Sequence, residues 1–590
     1  MVAANSPTMP PFPDSEARTA VARKLLWIAL LLTVVAYVGT LRYEFVFDDD
    51  PQIVHNFLLR NWHSVPRFFT QHLWAQVAPE GKGNFYRPLF LLWFLLNYKL
   101  FHLQPLGWHV TTVAMHVLVT FLVYRLARRV LADDLAGAVA ALLFGLHPTH
   151  IETVAWISGV SDSLLAAPFL GSLLCWLNFR EQDAGSRRSA WLAASLLLGA
   201  VALLCKETAA VLPGVIAAGE FWLISGQRPL ADRLRLAVAT ALPFAALDAW
   251  YLAVRKVVLT GVAFSITPLP LRTVLLTWPS LLWFYCRHLA WPLGLAAFYE
   301  TPYISSPGLR SFWLPLLAVL AVVVGLWLAS WKARSGVVAF CCCFMLLPLL
   351  PVLDITAFQY AEIAHDRYLY LPSIGLAMLL AYVVVRLRAG SGELLGMPAA
   401  AAAATLVLAG VLAAATATQN VQWANTLLLY ARAVAIAPNN VHAIEPLAME
   451  FLRRGDYESA APLLERITRL VPGDWSTRFL LGHALYRLHR LPAAEQALLD
   501  AIALHPDNAT QYYFLGLTRL ELQRPTEAEP PLRRALQLLP AGRGFHEALA
   551  AVLLARGDRD GARAELQIEV RNDPQNQSAQ KQLADLQPRP

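Results

Sequence analysis

Three consecutive carboxylates, Asp48, Asp49 and Asp50, follow the first long apolar run of the chain. Such a triplet is expensive to desolvate in lipid, so it belongs at a polar surface or in a water-lined cavity, either as an acidic helix cap or as part of a site. Further polar residues interrupt later apolar runs: Arg87 in Asn84-Phe-Tyr-Arg-Pro, then His147, His150, Glu152 and Asp162, then Lys206-Glu207, Arg287-His288 and Asp366-Arg367. Acids set among cations suit a transfer whose leaving group is a phosphate. A carboxylate accepts the proton of an incoming hydroxyl while Arg and Lys stabilise the departing anionic oxygen. Arg offers phosphate a planar, bidentate grip and Lys a point charge.

Blander readings stand beside this one. Lys206 and Glu207 also suit an ion pair at the end of a span, and Arg367-Tyr368 with Tyr370 an interfacial aromatic anchor. His147, His150 and Glu152 are suitable ligands for a divalent metal, and Asp48 with Asp49 could hold Mg²⁺ or Mn²⁺. The proline-opened His-x-x-His spacing is not the H-E-x-x-H helix, however, and no cofactor is expected to be required. The six cysteines lie in or beside apolar segments with no C-x-x-C spacing, against a zinc site or a disulfide framework.

The elements that must position these residues are helices in a membrane. Of 590 residues, 57% are apolar and 15% charged, and the mean hydropathy is +0.46, the profile of a polytopic membrane protein with a smaller soluble part. The modest net charge of +7 points to no nucleic-acid partner. Residues 1–24 read as a cytoplasmic tail leading into an uncleaved signal anchor. Residues 25–418 read as a membrane domain with about eleven spans, near 25–41, 106–124, 135–148, 160–179, 189–204, 208–225, 236–254, 312–331, 336–353, 369–386 and 397–416. The stretches 88–101 and 271–293 read as interfacial helices. Basic clusters at Arg23-Lys24, Arg125–Arg129, Arg180–Arg188, Arg228–Arg235, Lys332–Arg334 and Arg386–Arg388 are expected on the cytoplasmic side. That places Asp48, Asp49 and the other site candidates on the outer face, and the C-terminal portion outside.

Beyond Thr418 the chain turns charged and amphipathic. Pro438, Pro472, Pro506, Pro540 and Pro574 recur every 34 residues, in phase with Ala460, Ala494, Ala528 and Ala562. This is the tetratricopeptide period, with small residues where helices cross and a proline ending the second helix of each unit. After a linker and partial helix at 419–440, four repeats fit 441–576, followed by a tail at 577–590. The fold class expected is therefore all-α: a polytopic membrane domain followed by an α-solenoid, whose concave groove suits a protein segment.

The residues Phe45-Val46-Phe47-Asp48-Asp49 with Ile53 and Asn56, Tyr86-Arg87-Pro88-Leu89, His147-Pro148 with His150 and Glu152-Thr-Val-Ala-Trp156, Lys206-Glu207, and Arg367-Tyr-Leu-Tyr-Leu-Pro-Ser373 together resemble the transmembrane-and-tetratricopeptide-repeat O-mannosyltransferases and their bacterial relatives, over nearly the whole chain. The resemblance implies a C-type glycosyltransferase fold and an inverting enzyme. Such an enzyme takes a sugar, mannose in the eukaryotic members, from a polyprenyl-phosphate carrier at the non-cytoplasmic face and passes it to a protein or glycan acceptor. It implies that Asp48 and Asp49 are the catalytic acidic pair, with Asp48 the first candidate for the base and Asp49 the alternative, and that Arg87, Lys206 and Arg367 lie near the carrier phosphate. His150 and Glu152 would then support the pocket, as would His147, Asp162, Glu207 and Asp366. Asp50 departs from the family pattern. Arg287 and His288 join the phosphate set on charge and side alone. A bacterial host would imply an undecaprenyl-type carrier, an inner-membrane location and periplasmic repeats; a eukaryotic one would imply the endoplasmic reticulum with lumenal repeats. A non-catalytic envelope scaffold and a lipid-carrier transporter are the rival readings; the second predicts charges at mid-bilayer depth on several spans, where only His109, Asp248 and the helix interrupted at Pro243 offer candidates.

Overall fold

The computed structural model describes residues 15–78, 83–259, 261, 266–358, 362–387 and 392–586. Most of the expected N-terminal tail, Arg388 of the last basic cluster and the final residues of the C-terminal tail fall outside these. Among the described residues the regular structure is helical apart from one two-residue antiparallel ladder, Glu393–Leu394 with Met397–Pro398. It divides into two compact units, Met1–Arg432 and Ala433–Pro590.

In the first unit, nine described helices are long and apolar enough to cross a bilayer, and they coincide with nine of the eleven expected spans. The other two, Asp134–Gly145 and Pro372–Arg386, are short helices of 12 and 15 residues. At 1.5 Å per residue the first is about 18 Å long, against a hydrocarbon core of about 30 Å. The sequence run looked longer because apolar residues continue to Leu146, but Pro148 cannot extend the helix and the chain turns there.

The short helix nevertheless begins at one end of the first helix, Ser15–Tyr37, and its continuation finishes beyond the other. Arg18 Nη2 lies 2.6 Å from Asp133 Oδ2, whereas Ser158, a few turns later, bonds to Asp49 past the far end of the first helix. The intervening chain at 146–158, broken into the 3₁₀ turn Pro148–His150 and the five-residue helix Ile151–Ala155, is wholly buried in protein, the condition under which irregular chain is tolerated at membrane depth. It is clamped by long-range bonds: Thr416 Oγ1 to the carbonyl of Leu146 at 2.8 Å, His116 Nε2 to that of Gly145 at 3.2 Å, and His150 Nε2 to Ser373 Oγ at 2.8 Å.

The segment expected to be a linker from residue 419 divides. Residues 419–432 belong to the first unit, where the buried Asn420 donates to the carbonyl of Ala36 at 2.9 Å and accepts from the Tyr43 hydroxyl at 2.7 Å. Trp423 stacks on Trp156 with ring centroids 5.7 Å apart.

The second unit is a stack of helix pairs: Val441–Arg453 with Tyr457–Leu470, Trp475–Arg487 with Leu491–Leu504, Ala509–Glu521 with Pro525–Leu538, and Phe545–Ala555 with Arg559–Asn572, closed by Gln577–Asp585. Asn440, Asp456, Asp474, Asn508, Asp558 and Asn576 cap helix N-termini through their side chains. The in-phase alanines are fully buried at the crossings. A Cβ at Gly482 would lie 2.7 Å from Leu498 Cγ, so only glycine permits that approach.

Candidate active site

The acidic triplet leaves the first helix through the turn Val38–Arg42 and a short extended stretch. Phe47 takes a left-handed backbone conformation, φ +56°, which bulky residues adopt only when their surroundings hold them there. Its ring is gripped by Trp156, Phe298 and Tyr430, at centroid distances of 5.3, 5.5 and 6.5 Å. This kink sends the two following carboxylates into different surroundings.

Asp49 is fully buried and saturated. One of its oxygens accepts from the amide of Ser158 at 2.8 Å and from the Ser158 hydroxyl at 2.6 Å, and the other accepts from the amide of Val46 at 3.1 Å. Asp48 is half-buried, and among the described residues no group donates to its carboxylate. Burial pushes Asp48 up to about 7, against the opposing pull of the Arg367 guanidinium. Burial likewise pushes Asp49 to about 7, despite its three donors. Asp50 points away, exposed, with Oδ2 3.1 Å from His55 Nδ1.

The three cations singled out in sequence each bind one carboxylate. Arg87 grips Glu207 in a two-point fork, one arm of which measures 2.9 Å. Lys206 Nζ donates to Asp162 at 2.6 Å, both side chains almost completely buried. Arg367 donates to Glu152 through its guanidinium and, at 3.0 Å, through its amide. These partners lie 120, 44 and 215 residues apart in sequence, so four separate segments converge. Tyr368 sits among them. Lys206 Nζ is 5.3 Å and the Arg367 guanidinium carbon 5.2 Å from its ring centre, and the same guanidinium is 5.5 Å from Trp156. Trp156 thus joins the Phe47 kink to the ion-pair cluster. Each cation keeps free N–H donors, so the cluster can still grip an anion although its own charges balance.

The remaining candidates sort themselves by position. His147 holds Thr149 Oγ1 at 2.8 Å and the carbonyl of Leu289 at 3.2 Å, and His150 belongs to a buried knot with His116, Phe144 and Tyr370. Both support the backbone behind the cluster. Asp366 accepts from Tyr299, and burial raises it well above the ordinary carboxylate range. His288 bonds to the carbonyl of Phe284 at 2.9 Å and packs between the rings of Phe284 and Tyr299. The structure does not bring Arg287 to the cluster: it is exposed on the helix Leu271–Ala290. Among the described residues no three His, Cys, Asp or Glu side chains gather as a metal site. Ser158, Trp156 and Tyr368 were missed as functional residues. Their motifs were visible, but nothing local marked Ser158 as the partner of Asp49 or Tyr368 as the centre of the ion pairs.

Residues 86–251 match the family described as dolichyl-phosphate-mannose-protein mannosyltransferase, and 446–509, 479–543 and 513–577 match the tetratricopeptide repeat. The chain is similar to the protein O-mannosyl-transferase Tmtc3 of Drosophila melanogaster, 25% identical over 541 residues, which cover 80% of this chain and 58% of that one. It is also similar to human TMTC3, 25% identical over 573 residues, covering 87% of this chain and 60% of the relative. Drosophila Tmtc2 is 34% identical over 210 residues, 35% of this chain and 22% of the relative. The chain spans about three fifths of the length of the first two relatives. In its motif residues, its order of a multi-span membrane unit followed by repeats, and these matches, the chain is similar to the transmembrane-and-tetratricopeptide-repeat protein O-mannosyl-transferases.

Proposed function

We propose that this membrane protein transfers a sugar, mannose, from a polyprenyl-phosphate carrier to an acceptor hydroxyl on a protein at the non-cytoplasmic face. The observation that carries this reading is Asp48: a half-buried carboxylate with no donor among the described residues, raised to about 7 by burial, with Arg367 of the ion-pair cluster opposing that rise and Glu362 adding to it. A general base works best with a pKa near the working pH and with its lone pairs free.

In the proposed step the acceptor O–H gives its proton to Asp48. The acceptor oxygen bonds to the anomeric carbon as the bond from that carbon to the phosphate oxygen breaks, and the electron pair leaves with the phosphate. Spare N–H groups of Arg87, Lys206 and Arg367 receive the new charge. Asp49 fixes the Asp48 backbone and stays outside the chemistry. No step of this scheme is routed through a divalent metal. The repeats bind the acceptor or a partner segment. In a bacterial host they would lie in the periplasm and the membrane unit in the inner membrane.

Purified full-length protein, supplied with polyprenyl-phosphate mannose and a periplasmic protein extract, should transfer mannose to protein, and Asp48→Asn should not. Full transfer by the folded Asp48→Asn variant would overturn the assignment.

A further inference from the structure

The helical stretch Glu207–Ile224 starts at the ion-pair cluster, where Glu207 accepts from Arg87, and ends at a cavity of about 350 Å³ lined by Trp222, Arg233, Trp327, Trp331, Arg334 and Gly336. Its 18 residues put about 27 Å between the two. The cavity therefore lies at the opposite end of the membrane unit, among the basic clusters 228–235 and 332–334. Its floor is a close backbone approach: a Cβ at Gly336 would collide with the carbonyl of Trp222, and one at Gly226 would lie 2.9 Å from the same oxygen.

Arg233 is aimed by its surroundings. Its Nε donates to the carbonyl of Phe221 at 3.1 Å and its guanidinium lies 3.9 Å over the Phe221 ring, so that neither terminal nitrogen has a hydrogen-bond partner among the described residues. Arg334 adopts a left-handed conformation, φ +44°, at the end of Leu314–Ala333 and is exposed. Neither arginine pairs with a carboxylate among the described residues, whereas Arg87, Lys206 and Arg367 at the other end are all neutralised. Tryptophans at this depth are explained by interfacial anchoring alone. Two uncompensated arginines converging on a walled cavity between them are not, and planar guanidinium groups select phosphate oxygens.

We propose that this cavity binds a phosphate monoanion or diester, supplied by the headgroup of an anionic phospholipid or by free phosphate, with Arg233 and Arg334 on the phosphate and the indoles around it. Native mass spectrometry of the full chain, released from micelles containing equimolar phosphatidylglycerol and phosphatidylcholine, tests the lipid source. The expected result is preferential retention of phosphatidylglycerol, reduced about fivefold in Arg334→Gln and further in Arg233→Gln/Arg334→Gln. Arg334 is exposed, so its variant keeps the fold, and helix content by circular dichroism checks this. A parallel titration with inorganic phosphate, read by ³¹P saturation-transfer NMR, tests the soluble source; binding there that Arg334→Gln abolishes, without lipid preference, assigns the site to free phosphate. Equal retention of both lipids together with no phosphate signal overturns the proposal, as does a preference that both variants keep.

Discussion

Ser158 donates its amide and its hydroxyl to one and the same oxygen of Asp49, at 2.8 and 2.6 Å. That double bond crosses 109 residues of sequence and ties the loop after the first helix to the start of the helix Ser161–Glu181. It separates two adjacent, chemically identical side chains into a clamp and a free carboxylate.

Asp48→Asn should lower kcat by about 10²–10⁴-fold, the scale of a lost general base, with no loss of thermal stability. Asp49→Asn should instead destabilise the membrane unit by about 1–3 kcal/mol, because an amide cannot accept from all three donors that the carboxylate serves. Ser158→Ala should reproduce part of that loss. Rate assays and thermal unfolding of the three variants separate the roles. A stable, inactive Asp49→Asn beside an active Asp48→Asn would reverse them.

The pH dependence follows from the same pair. With Asp48 raised to about 7, its base form is depleted below that pH. kcat/KM should therefore climb with pH and level off above about 7, and Arg367→Gln, which removes the opposing positive charge, should move the limb to higher pH. Stability runs the other way. The folded protein keeps protons on Asp48 and Asp49 that the unfolded chain releases from about pH 4 upward. Their contribution is complete below that range and is lost as pH rises through about 7. Thermal unfolding at pH 5 and pH 8 should differ less in Asp48→Asn/Asp49→Asn than in the native protein.

Lys206 and Asp162 form the most deeply buried of the three ion pairs, 2% and 5% exposed. Lys206→Met strands a buried carboxylate and should cost about 3–5 kcal/mol, whereas Lys206→Met/Asp162→Leu should recover much of that loss. Transfer activity should stay low in both, since neither supplies a cation to the phosphate. A double variant as unstable as the single one would show that the pair does not act as a unit.

The repeats offer a purely steric test. At Gly482 an added methyl meets Leu498 Cγ at 2.7 Å and its backbone nitrogen at 3.3 Å, so the helices must part. Gly482→Ala should destabilise the solenoid by about 1–3 kcal/mol, measured on the full chain by limited proteolysis between repeats. Gly473→Ala, where a Cβ meets nothing within 4 Å, is the matched control.

The repeats were legible because each unit is local: the 34-residue period fixes which residues touch within the unit and with the next. The membrane unit was legible as apolar runs, but run length misjudged 135–148, where Pro148 stops the helix and side chains of other elements, Thr416 and His116, satisfy the carbonyls of Leu146 and Gly145. The cations were found and their partners were not. No spacing rule joins Arg367 to Glu152 across 215 residues, and charge alone suggested Arg287, which the fold turns outward. Asp48 and Asp49 differ only in what the tertiary structure sets beside them.

Tyr368 gives the sharpest test of the cluster's centre. Its ring lies within 5.3 Å of both the Lys206 ammonium and the Arg367 guanidinium. Its hydroxyl has no hydrogen-bond partner among the described residues. Replacing it with Phe keeps the ring, and with it the cation–π contacts that hold the two side chains in place. Tyr368→Phe should therefore leave thermal stability unchanged. If the hydroxyl donates to the departing phosphate, kcat should fall about tenfold with little change in KM, the pattern of an interaction made only in the transition state. Tyr368→Leu removes the ring as well and should lose stability in addition. Equal kinetics for native and Tyr368→Phe protein would confine the residue to packing.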